Sequence, residues 1–312
     1  VLEQGLLLCE DGVETARRVE TARRVQAVDS IAGLAPVDLV LLTVRTFDVS
    51  AAIPDLRHLL SDRGVIVALQ NGVGTEEEIA NELGGRRVVA GTLTVSVGME
   101  QPGIVTRYSR SGGVVLAGMS GEPPPAWLTD YFQATGLPTV ALADYHSLRW
   151  SKLLLNMLGA AQSAILDLDS AALTRHPQLF RIEQLASREI GRVMDAVGIR
   201  TVALPGYPVP LVRLAMRLPR PLAQGVLGPR LAEARGGRSP TMRADMARGR
   251  TEVEAFHGAV AREARREGLR APVNAALADL VEELARDPAR REEFRGKPEK
   301  LVALMESRGI RL

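Results

Sequence analysis

The chain contains little cysteine and few aromatic residues for its length. Of its 312 residues only Cys9 is a cysteine, and 4% are aromatic. A single cysteine excludes a framework of intrachain disulfides and any zinc cluster built from cysteines. The four histidines, His58, His146, His176 and His257, have no spacing typical of metal ligands, and we therefore expect structural or surface roles for them and no metal site.

Long hydrophobic runs and an excess of one charge are also missing. No stretch of about 18 apolar residues is present, and no basic segment leads into an apolar one near residue 1. The 39 basic and 37 acidic residues give a net charge of +2, with the two signs interspersed. This pattern does not fit a nucleic-acid-binding surface. We expect a soluble, cytoplasmic protein with no nucleic-acid or membrane partner.

Lysine is rare in this chain, since only three of the 39 basic residues are lysines. Lys297 and Lys300 lie near the C-terminus, so Lys152 stands alone among arginines. A desolvated lysine ammonium can release its proton, whereas an arginine stays charged, so Lys152 is a candidate acid. Composition alone favours a chance lysine, and the acid role is favoured by the sequence around Lys152. Residues 148–158 predict a largely buried helix, on which Asn156 shares the face of Lys152.

The first half of the chain alternates short apolar runs with helical patterns, as in a parallel sheet covered by helices. The predicted elements are strands over residues 38–44, 64–70, 88–97 and 137–142, helices over 48–60 and 75–83, and an antiparallel hairpin joining 103–108 to 113–118. From about residue 143 onward no strand is predicted. The sequence therefore predicts an α/β domain over residues 1–142 and an all-helical domain over residues 143–312.

Polar residues follow two of the predicted strands. Arg45 comes after strand 38–44, and Asn71 opens an Asn-Gly-Val-Gly turn after strand 64–70. Since ligands of open α/β sheets bind beyond the carboxyl ends of the strands, both are candidate cofactor-binding residues. A purely structural turn and a solvated arginine are the alternatives. Glu252 is predicted to lie in the first turn of a helix over 251–267, where a carboxylate favours the helix dipole.

Four motifs together resemble those of the ketopantoate reductases (2-dehydropantoate 2-reductases). They are Val44-Arg45-Thr46, Leu69-Gln70-Asn71-Gly72-Val73-Gly74, Trp150-Ser151-Lys152-Leu153 with Asn156, and Pro240-Thr241-Met242 followed by Gly249-Arg250-Thr251-Glu252. Their order and spacing match over residues 1 to about 290. The resemblance implies a Rossmann (doubly wound) domain, a helical domain like that of 6-phosphogluconate dehydrogenase, and NADPH-dependent reduction of 2-dehydropantoate to pantoate in pantothenate biosynthesis.

The resemblance also implies a role for each candidate residue. Lys152 is the general acid that protonates the ketone oxygen, with Glu252 near both Lys152 and the nicotinamide ribose. Asn156 and Thr241 bind the substrate. Asn71 contacts the cofactor near the nicotinamide, and Arg45 stands near the cofactor phosphates where a lysine is usual. A homodimer through the helical domain is a further implication.

The chain departs from the family pattern in three respects, the first being that the motif ending in Thr251-Glu252 is one residue shorter than the commonest family form. Ala160 occupies a position, one turn after Asn156, where the family usually has a second asparagine, so another 2-keto acid or an opine-type substrate is an alternative. In the family, a GxGxxG turn between a strand and a helix binds the cofactor pyrophosphate, and no such turn is found near residue 1. We expect that a GTG codon was read as Val1 and that a wrongly assigned start omits the GxGxxG segment. The alternative hypothesis is a truncated, non-catalytic paralogue that acts as a binding or oligomerisation module.

Overall fold

A computed structural model describes residues 7–10, 13–18, 26–101, 103–109, 111–233 and 241–312. The strands of this part of the chain are β1 (Leu7–Glu10), β2 (Val13–Arg18), β3 (Val37–Leu42), β4 (Leu60–Ala68), β5 (Val88–Leu93), β6 (Val97–Gln101), β7 (Ile104–Arg107), β8 (Val114–Gly118) and β9 (Thr139–Leu142). They form a five-stranded sheet of order β3-β4-β5-β8-β9 and a four-stranded sheet of order β2-β1-β7-β6. In the larger sheet, neighbouring strands are parallel except for the antiparallel pair β5 and β8.

Helices cover both faces of the larger sheet. Helices α1 (Val49–Leu59) and α2 (Thr75–Leu83) connect its parallel strands, and α3 (Ala126–Gln133) leads into β9. Alternate residues of β4 point to opposite faces: Ile66 packs with α1 and α2, whereas Val67 packs with α3. Because both faces are covered there, the second half of β4, residues 65–68, is a continuous apolar run rather than an alternating one.

Beyond β9 the described part of the chain is helical. Its helices are α4 (Tyr145–Met157), α5 (Ala160–Leu166), α6 (Ser170–Arg175), α7 (Pro177–Ala196), α8 (Val209–Ala215), α9 (Arg220–Glu233), α10 (Thr241–Met246), α11 (His257–Arg266), α12 (Pro272–Arg286), α13 (Pro288–Phe294) and α14 (Pro298–Ser307). The largest core cluster lies here and includes one face of α4. The predicted fold class, an α/β region followed by a helical one, is confirmed. Among the described helices, none combines the length and apolar character needed to cross a membrane.

The predicted hairpin between residues 103–108 and 113–118 is wrong. Strand β7 pairs with β6, whereas β8 pairs with β5, so the two segments belong to different sheets. Gly112 lies between them at φ +125°, and a Cβ atom there would be 2.8 Å from the carbonyl oxygen of Thr94. The glycine therefore permits a close backbone approach where the chain passes from one sheet to the other.

His257, at the start of α11, has a structural role with a consequence for acid stability. Its ring is fully buried, and Nδ1 lies 2.9 Å from Oδ1 of Asn274. Burial lowers the pKa of His257 to about 4, although the contact with Asn274 acts in the opposite direction. Because the folded pKa is depressed, stability that is present above the unfolded pKa of about 6.5 is lost as the pH falls toward 4.

We predict that His257→Gln will reduce this acid sensitivity. Between pH 7 and pH 4 the wild-type protein should lose up to about 3 kcal/mol of unfolding free energy that the variant retains, because glutamine does not titrate. Urea denaturation of both proteins at several pH values measures the difference. Parallel pH dependence of the two proteins would contradict the assignment.

Candidate active site

The candidate site lies where three strands of the larger sheet end. Since β3, β4 and β5 run parallel, their carboxyl ends lie at one edge of the sheet. Arg45 follows the end of β3, Asn71 follows the end of β4, and Leu93 is the last residue of β5. Lys152 donates from Nζ to the Leu93 carbonyl oxygen at 3.1 Å, and Asn156 donates from Nδ2 to Oδ1 of Asn71 at 2.8 Å. One face of α4 therefore meets the ends of two neighbouring strands, as the four-residue spacing predicts.

A cavity of about 650 Å³ opens at this edge of the sheet. Four predicted site residues line it together: Asn71, Lys152, Asn156 and Glu252. Apolar side chains, among them Leu69, Leu155, Leu173, Leu227 and Phe256, form much of the remaining wall. A few convergent polar groups in a mostly apolar cavity are typical of a small-molecule site. The side chain of Thr241, also predicted to bind substrate, lies outside the described residues.

Glu252 is fixed by contacts from the other half of the chain. Its carboxylate accepts hydrogen bonds from Nη1 of Arg45 and from the backbone N–H of Thr46, both at 3.0 Å. The prediction that Glu252 lies in the first turn of a helix is wrong, because a 3-10 turn over 253–255 follows it and α11 begins at His257. The backbone of Phe256, at φ −112° and ψ −99°, separates the two elements.

Ala160 lines the cavity but does not continue the helix that carries Asn156. Helix α4 ends at Met157, and Gly159 adopts a left-handed conformation at φ +73° before α5 begins. The simple expectation that residue 160 lies one turn after Asn156 on one helix is therefore wrong. Ala160 presents a methyl group to the cavity from the start of α5.

Arg149 supports this edge of the sheet from inside, although no signal in the sequence distinguished it from the other arginines. Its side chain is 2% exposed and donates to the carbonyl oxygens of Ala68 and Gln70, both at 2.7 Å. It also donates from Nε to Oε1 of Glu76 at 2.6 Å. Burial raises the pKa of Glu76, while the charge of Arg149 opposes that shift. Arg149 thereby ties α4 to the strand end that presents Asn71.

The turn after Asn71 packs directly against the helical half. The N–H of Val73 donates to the Ala255 carbonyl oxygen at 3.0 Å. Gly72 has φ +92°, and a Cβ atom there would lie 2.7 Å from that oxygen, whereas Gly74, at φ +107°, has no atom within 4 Å of such a Cβ. Gly72 therefore has the structural role that the sequence analysis kept as an alternative, while the side chain of Asn71 lines the cavity.

These two glycines provide a matched pair for mutagenesis. Alanine at either position adopts an unfavourable positive φ at a cost of about 1–2 kcal/mol. Only Gly72→Ala also collides with Ala255, so we expect it to cost a further 1–3 kcal/mol, roughly the range of overpacking, and to displace the turn next to Glu252. Chemical denaturation of both variants measures this difference, and equal losses would show that the contact with Ala255 is unimportant.

Among the described residues, no group of three or more His, Cys, Asp or Glu side chains is placed to hold a metal ion. Arg45, predicted to bind the cofactor, donates to Glu252 and, from Nη2 at 3.2 Å, to Asp245, and it is not among the described residues that line the cavity. Lys152, Asn71, Asn156 and Glu252 thus place one ammonium, two amides and one carboxylate in the cavity wall. Arg230 and hydroxyl-bearing side chains, among them those of Thr94, Ser96 and Tyr207, also line the cavity.

Comparison with known proteins identifies the family. The family model "Ketopantoate reductase PanE/ApbA" matches residues 3–121, and its C-terminal counterpart matches residues 144–285. The 2-dehydropantoate 2-reductase of Halobacterium salinarum is 30% identical over 257 residues, which cover 81% of this chain and 78% of that protein. The enzyme of the same name from Archaeoglobus fulgidus is 26% identical over 247 residues, covering 78% of this chain and 75% of that protein.

Solved structures show the same fold. A ketopantoate reductase of this family from Ralstonia eutropha superposes with a TM-score of 0.72 at 24% identity, covering 93% of this chain and 86% of that chain. D-mandelate dehydrogenase bound to NADH and anilino(oxo)acetate gives a TM-score of 0.71 at 20% identity, with coverages of 91% and 86%. A dimeric ketopantoate reductase from Staphylococcus aureus gives 0.67 at 17% identity, with coverages of 91% and 87%. The matches of both family models and the 30% identical relative establish that the chain belongs to the ketopantoate reductase family.

Proposed function

We propose that the protein is an NADPH-dependent reductase of a 2-keto acid, with 2-dehydropantoate (ketopantoate) as its substrate and pantoate as its product in pantothenate biosynthesis. The observation that carries the proposal is the convergence of Lys152, Asn156, Asn71 and Glu252 in one cavity. The names of the similar proteins from Halobacterium salinarum and Archaeoglobus fulgidus support the choice of substrate.

The residues present fit the nicotinamide end of such a cofactor. Leu69 and Phe256 supply apolar wall suited to a flat ring, and Asn71 and Glu252 supply acceptors for carboxamide or ribose hydroxyl groups. Arg45, beside Glu252, is the residue we assign to the cofactor phosphates. When bound, the cofactor supplies the hydride, and the protein must orient the keto acid and provide a proton.

Lys152 is the residue that we assign to proton delivery. Its ammonium is held at the cavity wall by the Leu93 carbonyl oxygen at 3.1 Å. As hydride reaches the carbonyl carbon, negative charge grows on the ketone oxygen, and a neighbouring cation stabilises that charge. Transfer of a proton from Nζ to this oxygen then completes the alcohol.

Asn156 is assigned to the substrate. Its amide donates to Asn71, and both side chains line the cavity. This contact links the proposed substrate residue to the proposed cofactor residue. Thr241 would contribute a hydroxyl for the substrate carboxylate. We also propose that the enzyme acts in the cytoplasm and forms a homodimer through its helical half, as the Staphylococcus aureus relative is described as dimeric.

Steady-state assays test the proposal. The chain, and in parallel a version extended upstream to the next in-frame start codon, is assayed with NADPH and with NADH against ketopantoate and a panel of branched and aromatic 2-keto acids. We expect the highest kcat/KM with ketopantoate and NADPH. A higher kcat/KM with another keto acid would identify that acid, rather than ketopantoate, as the substrate. Inactivity of both proteins with every combination of cofactor and keto acid would overturn the reductase assignment in favour of a non-catalytic module.

A further inference from the structure

Asp245 has no place in the chemistry described above, although it belongs to the same ionic group. It lies on α10 and is 5% exposed. Its Oδ1 accepts from Nη2 of Arg45 at 3.2 Å, and its Oδ2 is buried without a hydrogen-bond partner among the described residues. The other terminal nitrogen of Arg45 bonds to Glu252. One guanidinium therefore bridges two buried carboxylates.

This arrangement depends on the shape of the arginine side chain. A guanidinium presents its donors in a rigid planar fork, so a contact at one nitrogen fixes the direction of the other. A lysine ammonium is a compact charge on a flexible stem and lacks that constraint. Arg45 comes from the end of β3, while both carboxylates belong to the helical half. The contact with Asp245 thus determines where Arg45 holds Glu252.

We propose that Asp245 is a positioning residue for the reaction: it anchors Arg45, whose guanidinium in turn holds the Glu252 carboxylate in the cavity wall. Asp245 acts only through Arg45 and touches neither substrate nor cofactor. The proposal rests on the proposed function for its kinetic consequence, whereas its effect on stability is independent of activity.

The kinetic test uses Asp245→Asn with Asp48→Asn as the matched control. Asp48 also forms an ion pair between the two halves, with Nη2 of Arg250 at 2.7 Å, but that pair is about half-exposed and lies off the cavity. We expect Asp245→Asn to lower kcat about tenfold, the effect of a lost charge-assisted hydrogen bond, with KM for the keto acid nearly unchanged. Asp48→Asn should change kcat by less than roughly twofold. Equal losses of kcat in the two variants would show that Asp245 is only a general contact between the two halves of the chain and would overturn the positioning role.

The stability test uses a sign reversal. With Arg45 present, Asp245→Asn removes an ion pair, and we expect it to lower Tm by about 2 °C. In an Arg45→Met background, Asp245 and Glu252 are two like charges without their shared cation, so the same change should raise Tm. Thermal denaturation of the four proteins shows whether the sign reverses. A lower Tm in both backgrounds would overturn the proposal.

The two tests separate the possible failures. A reversed sign together with inactivity on every 2-keto acid would leave the ionic arrangement in place and overturn the proposed function. Activity in the wild type with no loss of kcat in Asp245→Asn would overturn the positioning role alone. Arg45→Lys should lower kcat as Asp245→Asn does, since lysine does not hold both carboxylates in a fixed geometry.

Discussion

Replacing Lys152 by methionine is expected to lower kcat by about 10²–10⁴-fold, the usual contribution of a positioned general acid. Methionine keeps much of the side-chain volume but removes both the proton and the positive charge. Since Lys152 bonds to a strand-end carbonyl rather than to the core, the variant should fold normally. Steady-state kinetics with ketopantoate, together with circular dichroism and Tm, measure both consequences.

Two further variants show which property of Lys152 matters. Lys152→Arg keeps the charge but holds its protons too tightly to act as an acid, so it should recover little activity. Lys297→Met removes a lysine that is exposed near the C-terminus and should leave kcat unchanged. If Lys152→Met retained more than about a tenth of the wild-type kcat, the general-acid role would fail.

Replacing Arg149 by methionine is expected to cost about 3–5 kcal/mol of unfolding free energy, because it leaves the buried carboxylate of Glu76 without its partner. The carbonyl oxygens of Ala68 and Gln70 lose their donor in the same variant. As these atoms form the strand end that carries Asn71, activity should fall as well. Urea denaturation gives the free energy.

The loss of unfolding free energy in Arg149→Met should grow as the pH rises. Without Arg149, burial raises the pKa of Glu76 with little to oppose it. A group with a raised folded pKa contributes stability below its unfolded pKa of about 4.3 and loses it as the pH rises through the folded value. Arg149→Met should therefore be less stable at pH 8 than at pH 5, relative to wild type.

A second change distinguishes the buried charge from a packing defect. Adding Glu76→Gln to Arg149→Met should restore part of the stability at pH 8, since the amide carries no charge to bury. Arg286→Met serves as the control: Arg286 is 76% exposed and pairs with Glu282, so its loss should cost less than about 1 kcal/mol. A pH-independent loss in Arg149→Met would contradict the role of Glu76.

Much of the site could be predicted because its signals are local. Lys152 stands out as a rare residue type, and Asn156 follows at a spacing that places it on the same helix face. Asn71 follows a buried strand, where a parallel sheet presents its ligand-binding residues. Each of these inferences uses only a short stretch of sequence, and the structure brings all three residues to one cavity.

The contacts between distant segments could not be predicted. Arg149 is one arginine among many, and its partner Glu76 lies 73 residues away. Glu252 was assigned to a helix from local pattern alone, whereas contacts with Arg45 and Thr46, more than 200 residues earlier, hold its carboxylate. The hairpin error arose differently, because β7 pairs with β6 directly before it, whereas β8 pairs with the earlier strand β5 of the other sheet.

A labelled hydride shows whether the protein reduces ketopantoate and whether Lys152 takes part. NADPH carrying deuterium at the transferred position of the nicotinamide is incubated with ketopantoate and the protein, and the product is analysed by mass spectrometry. We expect pantoate with one deuterium on the carbon that bears the new hydroxyl group, and an initial rate of its formation at least about a hundredfold lower with Lys152→Met at matched enzyme concentration. If the wild-type protein formed no deuterated hydroxy acid, the reductase assignment would be wrong, and if Lys152→Met formed it at the wild-type rate, Lys152 would not be the general acid.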